Sequence, residues 1–103
     1  MTTHPELVKV RLSSDKVIEF RGVCLTRVAV LDHDERVRRQ FAVFSHDAGY
    51  VAERIDYPET IDVRFWGALC VDAEALYQFF GNEPLANYLY GTLRLSVPGF
   101  RNL

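Results

Sequence analysis

The sequence predicts an α+β fold, an antiparallel sheet of about five strands laid out as an N-terminal β-meander and followed by two short C-terminal helices packed on one face. Three observations carry that prediction. Period-two alternation and β-branched residues dominate the chain as far as Leu69. Turn chemistry recurs between those runs, at Ser13-Ser14-Asp15-Lys16, Asp32-His33-Asp34-Glu35 and Asp47-Ala48-Gly49. Helix signals, a capping aspartate and punctuating Gly and Pro, come only after Val71.

Residues 7–12 alternate apolar and charged side chains, the pattern of a half-buried first strand. Residues 17–31 are mainly β-branched or apolar, with Gly22 marking a bulge or break between two strand segments. The acidic turn ends that run and residues 36–44 resume it, so residues 23–31 and 36–44 form an antiparallel hairpin. If the hairpin is symmetric about His33-Asp34, opposed residues have numbers summing to about 67. One face then takes Cys24, Thr26, Val28 and Val30 with Val37, Arg39, Phe41 and Val43, apolar except for Arg39 and expected to meet the core. The other takes Val23, Leu25, Arg27, Ala29 and Leu31 with Arg36, Arg38, Gln40, Ala42 and Phe44, apolar at its base and polar toward its tip.

Residues 50–55 read as a further strand, Tyr57-Pro58-Glu59 as a bend and residues 60–69 as another alternating strand. Asp72 is a fitting N-cap for a helix carrying Leu76, Phe79 and Phe80 on one side and ending at Gly81. A second helix starts after Asn82, with Pro84 in its first turn, Leu85, Tyr88 and Leu89 as its buried stripe, and Gly91 ending or weakening it. Leu93, Leu95 and Val97 either add a short closing strand, the preferred reading, or prolong the helix before Pro98 breaks the pattern.

Composition sets the class. At 103 residues the chain is expected to be one domain over residues 1–103, with 13 aromatics enough for a core without metal or disulfide support. The net charge of -2 gives no global attraction to nucleic acid or to an anionic membrane. Cys24 and Cys70 each sit in an apolar run, as small buried hydrophobes do. The amino terminus has no basic stretch followed by an apolar one, and no apolar run approaches the roughly 20 residues of a membrane span. A cytoplasmic protein without membrane contact is the expectation.

Few residues suggest chemistry. Asp32-His33-Asp34-Glu35 gathers three carboxylates and an imidazole, but its spacing is not that of a calcium loop and suits a solvated hairpin tip. His46-Asp47 pairs a base with a carboxylate, yet neighbours in a strand point to opposite faces. Cys24 with His46 would be a nucleophile and base by residue type alone. No nucleophile elbow, phosphate loop, dinucleotide turn or Cys-x-x-Cys occurs, so no catalytic residue, cofactor or metal is assigned. The distinctive feature is a basic stripe, since Arg27, Arg36, Arg38 and Gln40 are expected on one side of the hairpin tip with Arg39 opposite. Trp66 and Phe65 must face opposite ways, and an exposed aromatic there, at Tyr57 or at Tyr50 would mark a contact patch.

The function expected from these residues is a non-catalytic protein-binding module, a small regulator, inhibitor or accessory factor acting through a sheet face with Arg27, Arg36, Arg38, Gln40, Trp66 and Tyr57. The partner is another protein, a second copy of the chain included. A nucleic-acid-binding module using the basic hairpin face is the first alternative, although the acidic turn cancels much of the positive field. A small enzyme or ligand-binding domain using His46, Asp47 or Cys24 is the second.

Overall fold

Two antiparallel sheets, not one of five strands, organise the chain. In the computed structural model, which describes residues 5–47, 49–59 and 62–95, β1 (Glu6–Arg11) and β2 (Val17–Gly22) form a two-stranded sheet of their own. β3 (Cys24–Leu31), β4 (Val37–His46), β5 (Gly49–Asp56) and β6 (Arg64–Cys70) form a four-stranded meander in sequential order. The helices α1 (Ala73–Phe80) and α2 (Pro84–Thr92) follow. Among the described residues no helix is long and apolar enough to cross a membrane.

The expected break at Gly22 is where the chain changes sheets. Val23 is fixed to the far end of β4, donating its N–H to Ser45 Oγ at 2.8 Å and accepting the Ser45 N–H at 2.8 Å. A Cβ at Gly22 would collide with the Ser45 carbonyl, so only glycine lets the corner approach β4 this closely. Local alternation marks both strands but carries no information about which strand each one joins.

The four-stranded sheet is covered on both faces. On one, Val28, Phe41, Val43, Ala52 and Cys70 pack against Leu76, Phe80, Leu85, Leu89 and Tyr90 of the helices. On the other, Ala42, Phe44 and Val51 pack against Val10, with Val8, Ile18 and Phe20 of the hairpin beside them. Residues 41–44 of β4 are therefore buried on both sides, each large side chain contributing roughly 1.5–3 kcal/mol.

The β3–β4 register departs from symmetry and keeps its faces only from Thr26 to Val30. Thr26 opposes Val43, Val28 opposes Phe41 and Val30 opposes Arg39, two residues away from the expected pairing. The turn accounts for one residue. Asp32 N–H donates to Arg36 O and Glu35 N–H to Asp32 O, both at 2.9 Å, with Glu35 at φ 62°, a three-residue loop closed by a left-handed residue. A bulge between Leu31↔Val37 and Val30↔Arg39 leaves Arg38 without an opposite number and accounts for the second. From Thr26 to Val30 these two single shifts restore parity and the expected division between faces holds. A further irregularity between Cys24 and Thr26 sets Cys24 opposite Phe44, on the face packed by the β1–β2 hairpin and not with Thr26 and Val28 as expected. At the tip Leu31 opposes Val37 instead of lying on the other face. The β1–β2 turn repeats the geometry, with Leu12 N–H on Lys16 O at 2.7 Å, Asp15 N–H on Leu12 O at 2.9 Å and Asp15 at φ 69°.

Further differences lie toward the C-terminus. β6 begins at Arg64, after the non-strand Asp62 and Val63, while Thr60 and Ile61 lie outside the described residues. Asp72 caps α1, its Oδ1 accepting the Ala75 N–H at 2.9 Å, and Gly81 follows the helix at φ 79°. α2 runs through Gly91 to Thr92 and buries Leu85, Ala86, Leu89 and Tyr90, whereas Tyr88 is 65% exposed. Leu85 with Tyr88 and Ala86 with Tyr90 are both helical spacings; the choice falls to Tyr90, whose O–H reaches the Gly81 carbonyl at 2.6 Å. Leu93 and Leu95 form no strand: Leu95 N–H returns to Tyr90 O at 2.8 Å in a helix-closing turn with Arg94 at φ 60°, and Val97 lies outside the described residues. Both cysteines are free, Cys70 buried but Cys24 exposed on edge strand β3.

Candidate functional site

The register places one charged row across the hairpin side of the sheet: Arg27 opposes Ala42, Ala42 opposes Glu53 and Glu53 opposes Gly67. Beside it runs the row Ala29, Gln40, Ile55 and Phe65. Ala42 separates the two charged residues with a single methyl group, leaving a depression between them.

The β1–β2 hairpin bridges this surface and is anchored at both ends. One end is the Gly22 corner. At the other, Ser13 N–H donates to Gly67 O at 3.0 Å and Gly67 N–H to Ser13 Oγ at 3.2 Å, closing the middle of edge strand β6. A Cβ on Gly67 would lie 2.5 Å from the Arg11 carbonyl oxygen, so the glycine permits this contact. Val8 and Val10 point down to the sheet, and between β1 and the charged row remains a cleft of about 560 Å³ whose lining includes residues 6–9, Arg27, Gln40, Phe44, Glu53 and Ile55.

Four consecutive β1 residues line the cleft, although side chains alternate along a strand, so the backbone edge of β1 itself forms one wall. The Leu12 N–H bond to Lys16 sets the ladder's phase. Val10 with Ile18, Val8 with Phe20 and Glu6 with Gly22 then exchange hydrogen bonds with β2. Leu7 and Lys9 consequently turn N–H and C=O the other way, over the cleft. Among the described residues no strand pairs with β1 on that side.

Burial pushes the Glu53 carboxyl above its ordinary range, against the opposing pull of Arg27. The exposed Arg27 guanidinium lies 5.9 Å from the Phe44 ring centroid. The helix side differs. Arg39 makes a bidentate pair with Asp56 at 3.0 and 3.1 Å and reaches Glu83 at 2.8 Å; Arg54 forks onto Asp56 at 3.1 and 2.8 Å and lies 4.3 Å from the Trp66 ring centroid. Burial alone would raise the Asp56 carboxyl, but the bonds from Arg54 and Arg39 prevail and hold it below the usual carboxylate range.

The residues singled out in the sequence are thus divided. Arg27 and Gln40 line the cleft. Arg36 is exposed at the turn, its N–H donating to Asp32 Oδ1 at 3.0 Å. Arg38 is held by Asp32 at 3.1 Å, by Glu59 and by the Tyr57 carbonyl at 2.8 Å, while half-buried Tyr57 returns its N–H to Arg38 O at 2.9 Å. Trp66 belongs to the helix side, under Arg54, and Phe65 to the hairpin side, its ring 5.0 Å from the Arg11 guanidinium carbon. Glu53 and the β1 edge were missed, because both become visible only once register and sheet membership are known.

The remaining chemical candidates separate. Asp32 Oδ1 is taken up by the N–H groups of Arg36 and Asp34, which with Arg38 hold its carboxyl low. The His46 ring packs on Phe20 at 5.4 Å, and it is Cys70, not Cys24, that shares a small apolar pocket of about 120 Å³ with it. Burial and Asp72 push the Cys70 thiol up, opposite to what a thiolate nucleophile needs. Comparison with protein-family models, curated proteins and solved structures finds no match to this chain.

Proposed function

We propose that this chain is a non-catalytic protein-binding module, a small regulator, inhibitor or accessory factor, that takes its partner in the cleft beside β1. The observation that carries the reading is the unpaired backbone edge at Leu7 and Lys9, standing over a sheet surface that holds Arg27, Gln40 and Glu53. Main-chain donors and acceptors beside an apolar and charged floor suit a polypeptide partner. The phosphate-binding alternative loses support, since Arg38, Arg39 and Arg54 already carry carboxylates and the hairpin stripe is reduced to Arg27 and Arg36.

The test is affinity capture from the native cell with paired baits. A partner retained by the unaltered chain and by Tyr88→Ser, on the far surface, but lost by Lys9→Pro and Arg27→Ala is the expected result. Retention by all four baits would overturn the reading. Sedimentation of the purified chain, alone and as Lys9→Pro, identifies the case in which the partner is a second copy.

A further inference from the structure

We infer that the cleft takes an extended peptide strand, which adds to the free edge of β1 at Leu7 and Lys9 and lowers a lysine or arginine side chain onto Glu53. This rests on the reading above and gives its partner a chemistry. Leu7 and Lys9 each present one donor and one acceptor two residues apart, the repeat at which an added antiparallel or parallel strand bonds. β2, β3 and β6 also end their sheets, but the cleft that holds Glu53 lies against β1. Of these, the middle of β6 is closed by Ser13.

The floor decides the side chain. A strand lying beside β1 turns alternate side chains down onto the sheet, as β1 does with Val8 and Val10. The neighbouring floor holds Gln40, Glu53 and Ile55, with the small Ala42 flanking Glu53 on the β4 side while β1 closes over Gly67 on the other. Of the two floor charges, Arg27 is exposed and hydrated, whereas Glu53 is half-buried and Arg27 offsets only part of its desolvation. A cation arriving at Glu53 therefore gains more than an anion arriving at Arg27. On the rim Glu6 adds a second negative group, and the Lys9 ammonium is paired with Glu19 of β2 at 3.6 Å.

Proline scanning separates the edge from the fold. Lys9→Pro deletes an outward N–H, which an edge strand tolerates, while Val8→Pro removes a bond to β2 and should disrupt the hairpin. The probes are three blocked heptapeptides of alternating threonine and valine with a central lysine, glutamate or alanine, and N-acetyl-lysine methylamide as a free cation. They are titrated into isotope-labelled protein and followed by amide shifts.

The lysine peptide should move and protect the Leu7 and Lys9 amides and bind about tenfold tighter than the glutamate peptide, the order expected of one charge-assisted contact. Glu53→Gln should abolish that preference, and Lys9→Pro should abolish binding of every peptide with a native-like spectrum retained. Unmoved Leu7 and Lys9 amides at millimolar peptide, or equal binding of the lysine and glutamate peptides, would overturn the inference. Equal binding of the free lysine derivative would replace the strand with a small cation. If the peptides fail while capture of a cellular partner still depends on Lys9 and Arg27, the inference falls and the protein-binding reading stands.

Discussion

The two faces of the four-stranded sheet carry similar charged groups and treat them oppositely. On the helix side Arg39, Arg54, Asp56 and Glu83 form a closed network in which each guanidinium has a carboxylate at hydrogen-bond distance. On the hairpin side Arg27 and Glu53 stand across Ala42, coupled through the cleft, and the carboxyl stays above its ordinary range. The first arrangement contributes to the fold and leaves little for a ligand. The second costs stability and leaves groups available, as binding surfaces do.

The largest expected effect tests the closed side's core: Leu89→Ala, removing a fully buried side chain under the sheet, should cost about 3 kcal/mol in denaturant unfolding. Gly67→Ala attacks the open side at its anchor. The added methyl meets the Arg11 carbonyl, so a loss of about 2 kcal/mol is expected, with faster exchange of the Ser13 amide as the hairpin end lifts.

Asp56→Asn should cost about 1 kcal/mol at neutral pH. Because the folded Asp56 value is depressed, its contribution is full above the unfolded value of about 4 and is lost as pH falls through the folded one, so mutant and parent should converge in acid. Glu53→Gln should have the smallest effect and the opposite sign. With the folded value raised, the parent loses stability as pH rises from the unfolded value through the folded one; the glutamine variant should be more stable at neutral pH by less than about 1 kcal/mol, with the gap closing on acidification. Equal pH profiles for Asp56→Asn and Glu53→Gln would erase the contrast between the faces.

Much of this fold is legible in the sequence where local chemistry decides. Asp72 and Gly81 frame α1, and alternation separates Phe41 and Val43 from Ala42 and Phe44. What escapes is settled by distant contacts. The hairpin closes on Glu35, a non-glycine residue with positive φ, so nothing in the turn's composition betrays its length. Tyr90 takes the buried place given to Tyr88 because of a carbonyl on Gly81. The acidic turn beside the arginines supplies one carboxylate, Asp32 to Arg38, but the others come from elsewhere in the chain: Glu59 after β5 to Arg38, and Asp56 across the sheet with Glu83 at the start of α2 to Arg39. Glu53 reads as one charge in a strand until the register sets it between Ala42 and Gly67.

The double anchoring of the β1–β2 hairpin has a thermodynamic corollary. A flap held at one end swings, and a guest loses affinity in stopping it; a span seated at Gly22 and clasped by Ser13 to Gly67 has little such freedom left to lose. The ordering entropy of association at the cleft should then fall almost wholly on the incoming chain, so that stiffening that chain, by cyclisation for instance, is the direct route to tighter complexes.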